Sequence, residues 1–259
     1  FALAKLAQTA KQENIILCGV RFMAESAKIL NPEKTVFLPA ETAGCPMADM
    51  ITPRDVLDLR AKYPGAAVVC YVNSSAQVKA VSDICCTSSS AEKIVASLPN
   101  KQIIFIPDKN LGAYVAKQFP EKEFIFFEGY CPIHNAMGER DIISAKEANP
   151  VAMVLAHPEC PMSVLKEADY VGSTAGILDV ARKTEARELI IATECGVIQI
   201  LRRELPEKKI ISGRSDCTCQ DMKKTGLSDI IDCLEGRRKP VELSREEIEA
   251  AAKSLESMV

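Results

Sequence analysis

Short apolar runs alternate with amphipathic segments through most of the chain. Runs at 66–70 and 151–156 predict buried strands, and shorter runs at 35–38, 124–127 and 210–211 predict further strands. The spacing of apolar positions predicts helices at 23–30, 111–119 and 197–205. This alternation is typical of parallel sheets flanked by helices, so we expect an α/β fold. The segment 243–258 predicts a C-terminal amphipathic helix that begins at a capping box of Ser244 and Glu247.

The tripeptide Pro-Glu-Lys occurs three times, and its copies mark an internal repeat. The copies begin at Pro32, Pro120 and Pro206, which gives offsets of 88 and 86 residues. Each copy follows a predicted helix and precedes a short apolar run. A cysteine then lies 11 to 13 residues after each proline, and these cysteines are Cys45, Cys131 and Cys219. Three matches at one period favour an internal repeat over coincidence.

Other positions match at the 86-residue offset: Asp55 and Asp141, Asp83 and Asp169, Ser88 and Thr174, Tyr71-Val72-Asn73 and His157-Pro158-Glu159. Each full repeat is predicted to run strand, helix, strand, helix, strand, helix, strand, and then a cysteine loop. We predict three pseudo-threefold-related α/β domains, each a small parallel sheet flanked by helices. The predicted boundaries are 1–51, 52–138 and 139–225, with a helical tail at 226–259. The first repeat lacks a counterpart of 71–88, so we expect a truncated chain.

Composition narrows the class of protein. The chain has 259 residues, 47% of them hydrophobic and 26% charged, as in soluble globular proteins. A net charge of −3 argues against a nucleic-acid-binding surface. The sequence shows neither an apolar run of about 20 residues, as a membrane span needs, nor a signal peptide. We therefore expect a cytoplasmic protein without membrane or nucleic-acid partners.

Eleven cysteines are many for a chain without a secretion signal, and cysteines in a reducing compartment are metal-binding, catalytic or buried. We interpret Cys18 and Cys70 as core residues because they lie in apolar runs. Cys217 competes with Cys219 in a Cys-Thr-Cys sequence, and the repeat spacing selects Cys219. We interpret the others as structural or incidental: Cys85, Cys86, Cys160, Cys195 and Cys233.

Equivalent loops of three related repeats would bring the three repeat cysteines to one point. Three thiolates suit zinc or an iron–sulfur cluster. Structural zinc needs four closed ligands, whereas a [4Fe–4S] cluster on three cysteines leaves one iron open as a Lewis acid. An open iron favours elimination of hydroxyl groups. Coincidental loop cysteines are the alternative.

Polar residues follow the predicted strands, where α/β proteins bind their ligands. Tyr71 and Asn73 follow one strand, and His157 and Glu159 follow its equivalent. Asp108 and Glu194 end further strands, while Ser88, Ser173 and Thr174 precede helices whose N–H groups can bind anions. Serine-rich turns are also ordinary helix caps. We interpret His134, three residues after Cys131, as a structural hydrogen-bonding residue.

Several motifs together carry a specific resemblance that covers essentially the whole chain. They are Gly19-Val20-Arg21-Phe22-Met23-Ala24-Glu25, Gly44-Cys45-Pro46-Met47-Ala48, Tyr71-Val72-Asn73-Ser74, Cys86-Thr87-Ser88, Pro107-Asp108-Lys109-Asn110-Leu111, Gly129-Tyr130-Cys131-Pro132-Ile133-His134, His157-Pro158-Glu159-Cys160, Val171-Gly172-Ser173-Thr174 and Cys219-Gln220-Asp221-Met222-Lys223. In these motifs the chain resembles the A-type quinolinate synthases, iron–sulfur enzymes of NAD biosynthesis. The resemblance implies three α/β domains around one [4Fe–4S] cluster. It also implies condensation of iminoaspartate with dihydroxyacetone phosphate to quinolinate, with release of phosphate and two waters.

The resemblance also implies roles for residues at the matching positions. The cluster ligands are Cys45, Cys131 and Cys219, the catalytic residues are Glu159, Tyr71 and His157, and the substrate-binding residues are Asn73, Ser88, Ser173, Thr174 and Met23. The implied partners are the two substrates, with functional coupling to the enzyme that supplies iminoaspartate. The family's His-Asn-Tyr and Gly-Asp-Ser motifs are absent from this sequence. The alternatives are another iron–sulfur dehydratase and an inactive truncated metal-binding protein.

Overall fold

A computed structural model describes residues 2–258. The first elements are α1 (Ala2–Thr9), β1 (Asn14–Ile16), α2 (Arg21–Leu30) and β2 (Thr35–Phe37). The next are α3 (Pro53–Lys62), β3 (Ala67–Tyr71), α4 (Ala76–Ala80), β4 (Ile84–Cys86), α5 (Ala91–Ser97), β5 (Gln102–Ile106), α6 (Lys109–Ala116), β6 (Glu123–Phe126) and α7 (Pro132–Asn135). Then follow α8 (Glu139–Ala148), β7 (Met153–Ala156), α9 (Met162–Leu165), β8 (Tyr170–Val171), α10 (Thr174–Lys183), β9 (Glu188–Ala192), α11 (Cys195–Glu204), β10 (Lys209–Ser212), α12 (Leu227–Leu234) and α13 (Arg245–Glu256). Short 3₁₀ turns occupy Ala48–Met50 and Asp221–Lys223.

These elements fall into two compact units. Of the described residues, unit 1 comprises 2–107, 121–129 and 220–258, and unit 2 comprises 108–120 and 130–219. Unit 1 contains a two-stranded sheet, β1-β2, and a four-stranded sheet in the order β4-β3-β5-β6. Unit 2 contains one four-stranded sheet in the order β10-β9-β7-β8. All the strand pairs within these sheets are parallel, so the predicted α/β class with small parallel sheets is confirmed.

The two larger sheets share one connectivity. In each, the first strand pairs with the second and third, and the third pairs with the fourth. Helices separate consecutive strands from β3 to β6 and from β7 to β10, in the order expected for each full repeat. The domain boundaries drawn from the repeat stay a prediction.

The lysine of each Pro-Glu-Lys copy makes the same kind of contact. Its ammonium group donates to carbonyl oxygens at or just beyond the C-terminal end of a helix. The lysines are Lys34, Lys122 and Lys208, and their partners are Ala7 and Ala10, Leu98 and Asn100, and Ala181 and Thr184. A cation there satisfies carbonyls left unpaired by the helix and opposes the helix dipole. The repeated tripeptide therefore has a structural cause.

Two other matched positions also make equivalent bonds. Asp83 accepts a hydrogen bond from the Val68 N–H at 2.7 Å, and Asp169 accepts one from the Val154 N–H at 2.8 Å. Each aspartate directly precedes an edge strand and ties it to the central strand beside it. The 86-residue register thus corresponds to shared framework bonds.

The C-terminal segment contains one helix more than predicted. α13 begins at the predicted capping box, in which Ser244 and Glu247 each accept from the other's backbone N–H. The additional helix, α12, lies within the predicted helical tail at 226–259 but had no predicted bounds, and its side chains Leu227 and Leu234 are largely exposed. The interpretation of Cys18 as a core residue is wrong, since it is exposed just beyond the short strand β1, whereas Cys70 is buried as expected. Among residues 2–258 there is no helix with the length and hydropathy to span a membrane.

Candidate active site and metal ligands

The carboxyl end of β7 places two polar side chains in the interior of unit 2. The His157 N–H donates to the Ala192 carbonyl at 3.0 Å, which continues the pairing of β7 with β9. The chain then turns, and the Glu159 N–H donates to His157 Nδ1 at 3.3 Å. His157 and Glu159 are only 4% and 3% exposed. The strand end therefore fixes an imidazole and a carboxyl group side by side.

A second histidine lies against this carboxyl group. α7 begins directly after Cys131 with Pro132, which brings His134 within one helical turn of the cysteine. His134 Nδ1 lies 2.8 Å from Glu159 Oε2 and 3.2 Å from Cys131 Sγ. Its ring stacks on that of His157 with centroids 4.8 Å apart. One imidazole thus contacts both a predicted cluster ligand and the predicted catalytic carboxylate.

The other nitrogen of His134 is also occupied. Nε2 lies 2.9 Å from the hydroxyl oxygen of Thr193, which is 1% exposed. With Nδ1 donating to the Glu159 carboxylate, Nε2 accepts from the Thr193 hydroxyl. The Glu159 carboxylate, which can only accept, places the proton on Nδ1, and the Thr193 hydroxyl, which can donate, completes the fixing of the ring orientation.

The donor atoms of Cys131, His134 and Glu159 all lie within 4.8 Å of one another. Thiolate, imidazole and carboxylate groups together are a donor set for transition metals. Burial, followed by the charge of Glu159, raises the pKa of the Cys131 thiol far above its ordinary value. A coordinated metal ion would reverse this, because it deprotonates a thiol outright.

Burial also controls the protonation of His157. It lowers the pKa of His157 to about 4, with the charge of Glu159 opposing this shift and that of His134 adding to it. The imidazole is therefore neutral near pH 7. Since Nδ1 accepts from the Glu159 N–H, the proton of the neutral ring is on Nε2, which is left as a donor.

Asp108 binds the backbone of the loop that carries Cys131. It is the N-cap of α6, where Oδ1 accepts from the Leu111 N–H at 2.7 Å and Oδ2 accepts from the Cys131 N–H at 3.0 Å. Burial, followed by the charge of Glu159, raises the pKa of Asp108 to about 7. Asn110, in the first turn of α6, donates to the Glu159 carbonyl at 3.0 Å.

Cys219 is half-buried after β10, also in unit 2. Its N–H donates to Glu194 Oε1 at 3.3 Å, and Glu194 caps α11 by accepting from the Gly196 N–H at 2.7 Å. Cys217 is instead buried, and this burial raises the pKa of its thiol. Its carbonyl accepts from the Cys195 N–H at 3.0 Å.

The start of α10 combines helix N–H groups with hydroxyls. Ser173 caps the helix by accepting from the Gly176 N–H at 3.3 Å, and Thr174 is exposed. A Cβ at Gly172 or Gly176 would lie 2.3 or 2.4 Å from the Tyr170 hydroxyl oxygen. These two glycines therefore allow the tyrosine hydroxyl to lie against this helix end, where N–H groups can bind an anion.

In unit 1, the equivalent strand end, that of β3, carries a phenol and an amide in place of the imidazole and carboxyl group. Tyr71 is the buried last residue of β3, and its carbonyl accepts from the Ser74 hydroxyl at 2.9 Å. Asn73 is half-buried in the same turn, and Ser88 is half-buried in the loop after β4. Met23 is half-buried in α2.

Cys45 lies half-buried in the loop after β2. The N–H of the preceding residue, Gly44, donates to Asp221 Oδ1 at 3.3 Å. The Cys45 carbonyl accepts from the Asp49 N–H at 3.1 Å, at the 3₁₀ turn. The loop thus holds its thiol on an ordered backbone within unit 1.

Comparison with known proteins assigns the chain to a family. A family model described as Quinolinate synthetase A protein matches residues 1–259. A quinolinate synthase of Caldicellulosiruptor saccharolyticus is 47% identical over 259 residues, which cover all of this chain and 86% of the relative. Those of Caldicellulosiruptor bescii and Clostridioides difficile are 48% and 46% identical and cover all of this chain and 86% and 85% of the relatives. The chain belongs to the quinolinate synthase A family.

Membership of the quinolinate synthase A family confirms the resemblance and the prediction of an enzyme of that type. The structure brings His157, Glu159 and Cys131 into one part of unit 2, and Tyr71 and Asn73 into one turn of unit 1. Their individual roles stay predictions.

His134 is a hydrogen-bonding residue as expected, and its contacts join Cys131, Glu159 and Thr193, a grouping that the sequence analysis did not include. The available signal was a histidine three residues after a repeat cysteine, at a helix start marked by proline. Thr193 carried no signal in the sequence, because its contact with His134 spans 59 positions.

Proposed function

We propose that this chain condenses iminoaspartate with dihydroxyacetone phosphate to form quinolinate, releasing phosphate and two waters in NAD biosynthesis. The observation that carries this proposal is the family match over all 259 residues, with relatives named quinolinate synthase at about 47% identity. Both substrates are small anions, and the start of α10 at Ser173 and Thr174 offers N–H groups and hydroxyls that can bind an anion.

Cys45, Cys131 and Cys219 are the proposed ligands of one [4Fe–4S] cluster. They occupy equivalent repeat positions, all three are half-buried, and within residues 2–258 no disulfide joins any of the eleven cysteines. Soft thiolates suit iron–sulfur clusters, so the donor set fits. When bound, a cluster with three cysteine ligands supplies an open iron that acts as a Lewis acid.

Glu159 is the proposed acid–base residue. Ring closure and two dehydrations require proton transfers, and a positioned carboxyl group can accept and return protons. His134 holds one carboxylate oxygen at 2.8 Å and so orients the group. His157, neutral and with its proton on Nε2, is suited to donate a hydrogen bond to a substrate oxygen.

Tyr71, Asn73, Ser88 and Met23 are the proposed substrate contacts in unit 1. A phenol, an amide and a hydroxyl supply hydrogen bonds that orient a polar substrate, and the methionine supplies an apolar contact. Ser173 and Thr174 begin α10, a helix of ten residues, and are the proposed contacts for a carboxylate or phosphate group.

The proposal is tested by anaerobic purification of the protein, followed by iron and sulfide counts and a quinolinate assay with both substrates. Replacing Cys45, Cys131 or Cys219 by serine should abolish iron incorporation, because a hydroxyl is a poor ligand for iron in clusters. Cys217→Ser and Cys195→Ser are the matched controls and should keep the cluster. Full loading of Cys219→Ser with loss in Cys217→Ser would contradict the ligand assignment. A loaded wild-type protein that forms no quinolinate would contradict the proposed reaction.

A further inference from the structure

Two carboxylates in unit 2 occupy equivalent places and make equivalent bonds. Asp108 and Glu194 are 86 residues apart, and each is the N-cap of a helix, α6 or α11. One oxygen of each accepts from an N–H in the first turn, of Leu111 or of Gly196, both at 2.7 Å. The other oxygen accepts from the backbone N–H of a repeat cysteine, Cys131 at 3.0 Å or Cys219 at 3.3 Å.

This arrangement fixes the cysteine loops through the helices. The first bond ties the carboxylate to a rigid helix start, so the second oxygen has a defined position. Asp108 and Glu194 are 0% and 7% exposed, and hydrogen bonds to a carboxylate in such surroundings are strong. A ligand side chain follows its backbone, so a fixed N–H limits where the thiol can lie.

The first repeat shows what happens where this carboxylate is missing. The N-cap of α2 is Val20, which makes no side-chain cap bond. In that repeat the N–H next to the cysteine, that of Gly44, donates instead to Asp221 Oδ1 at 3.3 Å. Lys224 in turn holds Asp221 at 2.6 Å. A carboxylate therefore holds the backbone at or beside each repeat cysteine, although from a different sequence position in the first repeat.

We propose that Asp108 and Glu194 are positioning residues that orient Cys131 and Cys219 for iron through their backbone N–H groups. This inference rests on the proposed function, which makes both cysteines cluster ligands. Each carboxylate then has two tasks, since it caps a helix with one oxygen and holds a cysteine loop with the other. The two tasks can be tested independently because they use different oxygens.

The decisive variant is Asp108→Ser. Serine caps a helix as well as aspartate does, but its single hydroxyl oxygen cannot also reach the Cys131 N–H. Asp108→Asn is the second variant, since its NH2 group replaces one of the two acceptor oxygens that face the Leu111 and Cys131 N–H groups. Asp169→Asn is the matched control, because it weakens a carboxylate bond to the Val154 N–H at the other end of the strands in the same unit.

Two measurements are made on the full chain. In metal-free protein, hydrogen exchange of the Cys131 amide should be faster in both Asp108 variants than in wild type and Asp169→Asn. In reconstituted protein, the affinity for iron should fall about 10- to 100-fold, the usual effect of removing a partner of a metal ligand, and a chelator should therefore remove the iron faster. Glu194→Ser should likewise speed hydrogen exchange of the Cys219 amide and the loss of iron to a chelator.

The inference is overturned if Asp108→Ser matches wild type in both measurements, or if Asp169→Asn shows the same losses. A fold defect is recognised by a lowered melting temperature and faster exchange throughout unit 2, and it too counts against the inference. Failure of the proposed function has a different signature, namely a wild-type chain that takes up no iron, or Cys131→Ser that keeps it. The exchange measurement in metal-free protein does not depend on that outcome.

Discussion

The carboxyl ends of β3 in unit 1 and β7 in unit 2 are built on the same framework but have different chemistry. In both units an aspartate before the edge strand binds a backbone N–H of the central strand. After β7 the chain presents His157 and Glu159, whereas after β3 it presents Tyr71 and Asn73. The framework bonds are shared between the repeats, and the residues that follow the strands differ.

The residues packed around the carboxyl ends of β3 and β7 also differ between the two units. Near β3, Lys79 is fully buried, donates to the Ser74 carbonyl and lies 5.7 Å from the Phe22 ring centroid. Burial raises the pKa of the neighbouring Cys70 thiol, but a hydrogen bond from Cys85, the charge of Lys79 and hydrogen bonds from Ser74 and Ser82 together outweigh it and lower that pKa to about 7. Near β7, two imidazoles stack on each other and one of them contacts a carboxyl group. A duplicated scaffold thus carries a thiol-rich strand end beside a buried lysine, whose pKa is lowered by burial, in one unit, and a strand end with two imidazoles and a carboxyl group in the other.

The largest expected effect comes from removing the acid–base group of the second strand end. Glu159→Gln keeps the shape of the side chain but removes the base. Quinolinate formation should fall by at least about 100-fold, the lower range for a general acid–base group, while the cluster is retained. Steady-state kinetics and iron content measure this.

The matched variant is Asn73→Ala, at the same register position in unit 1. As a substrate contact, its loss should raise KM more than it lowers kcat. Near wild-type turnover in Glu159→Gln would remove the distinction between the two strand ends and make Tyr71 the better candidate for the base.

A smaller effect is expected on stability, from the neutral imidazole of His157. Its pKa is about 4 in the folded chain, against an ordinary value of 6.5, because it is buried. Between these pH values the unfolded chain binds more protons, so the free energy of unfolding rises with pH and the contribution is complete above about 6.5. The lowering of this pKa from 6.5 to about 4 corresponds to about 3 kcal/mol in the free energy of unfolding.

The measurement is the difference in unfolding free energy between wild type and His157→Gln across pH 4 to 7. Asp108, whose raised pKa of about 7 acts with the opposite sign, titrates in both proteins, so its effect largely cancels in the difference. A difference that stays constant with pH would show that His157 is not held neutral by burial.

The framework was predictable from the sequence because its signals are local or periodic. The strand runs at 66–70 and 151–156 lie close to β3 and β7, and the capping box at Ser244 is as expected. The strand-end residues were found because parallel sheets bind ligands there. The contact of His134 with Glu159 and Thr193 was not predictable, because it joins three chain segments that only packing brings together. The apolar residues of α12 do follow a helical spacing, at Leu227, Ile230, Ile231 and Leu234, so the helix within the predicted tail could have been bounded from the sequence.

The smallest expected effects concern the shared framework, where the two units should behave alike. Lys122 and Lys208 each donate two hydrogen bonds to carbonyls beyond or at the end of a helix, at 2.6 to 2.9 Å. Lys122→Met and Lys208→Met keep the aliphatic stem but lose these bonds, so each should lower the free energy of unfolding by about 1–2 kcal/mol. Lys209→Met, which removes only an exposed pair with Glu188, should change it by less than about 0.5 kcal/mol. Denaturant unfolding of the three variants measures this. If Lys122→Met and Lys208→Met lower the free energy of unfolding equally, while Glu159→Gln and Asn73→Ala differ in their kinetic effects, the two units share a framework and differ only in their strand-end chemistry. A loss of stability in only one lysine variant would show that the framework itself has diverged.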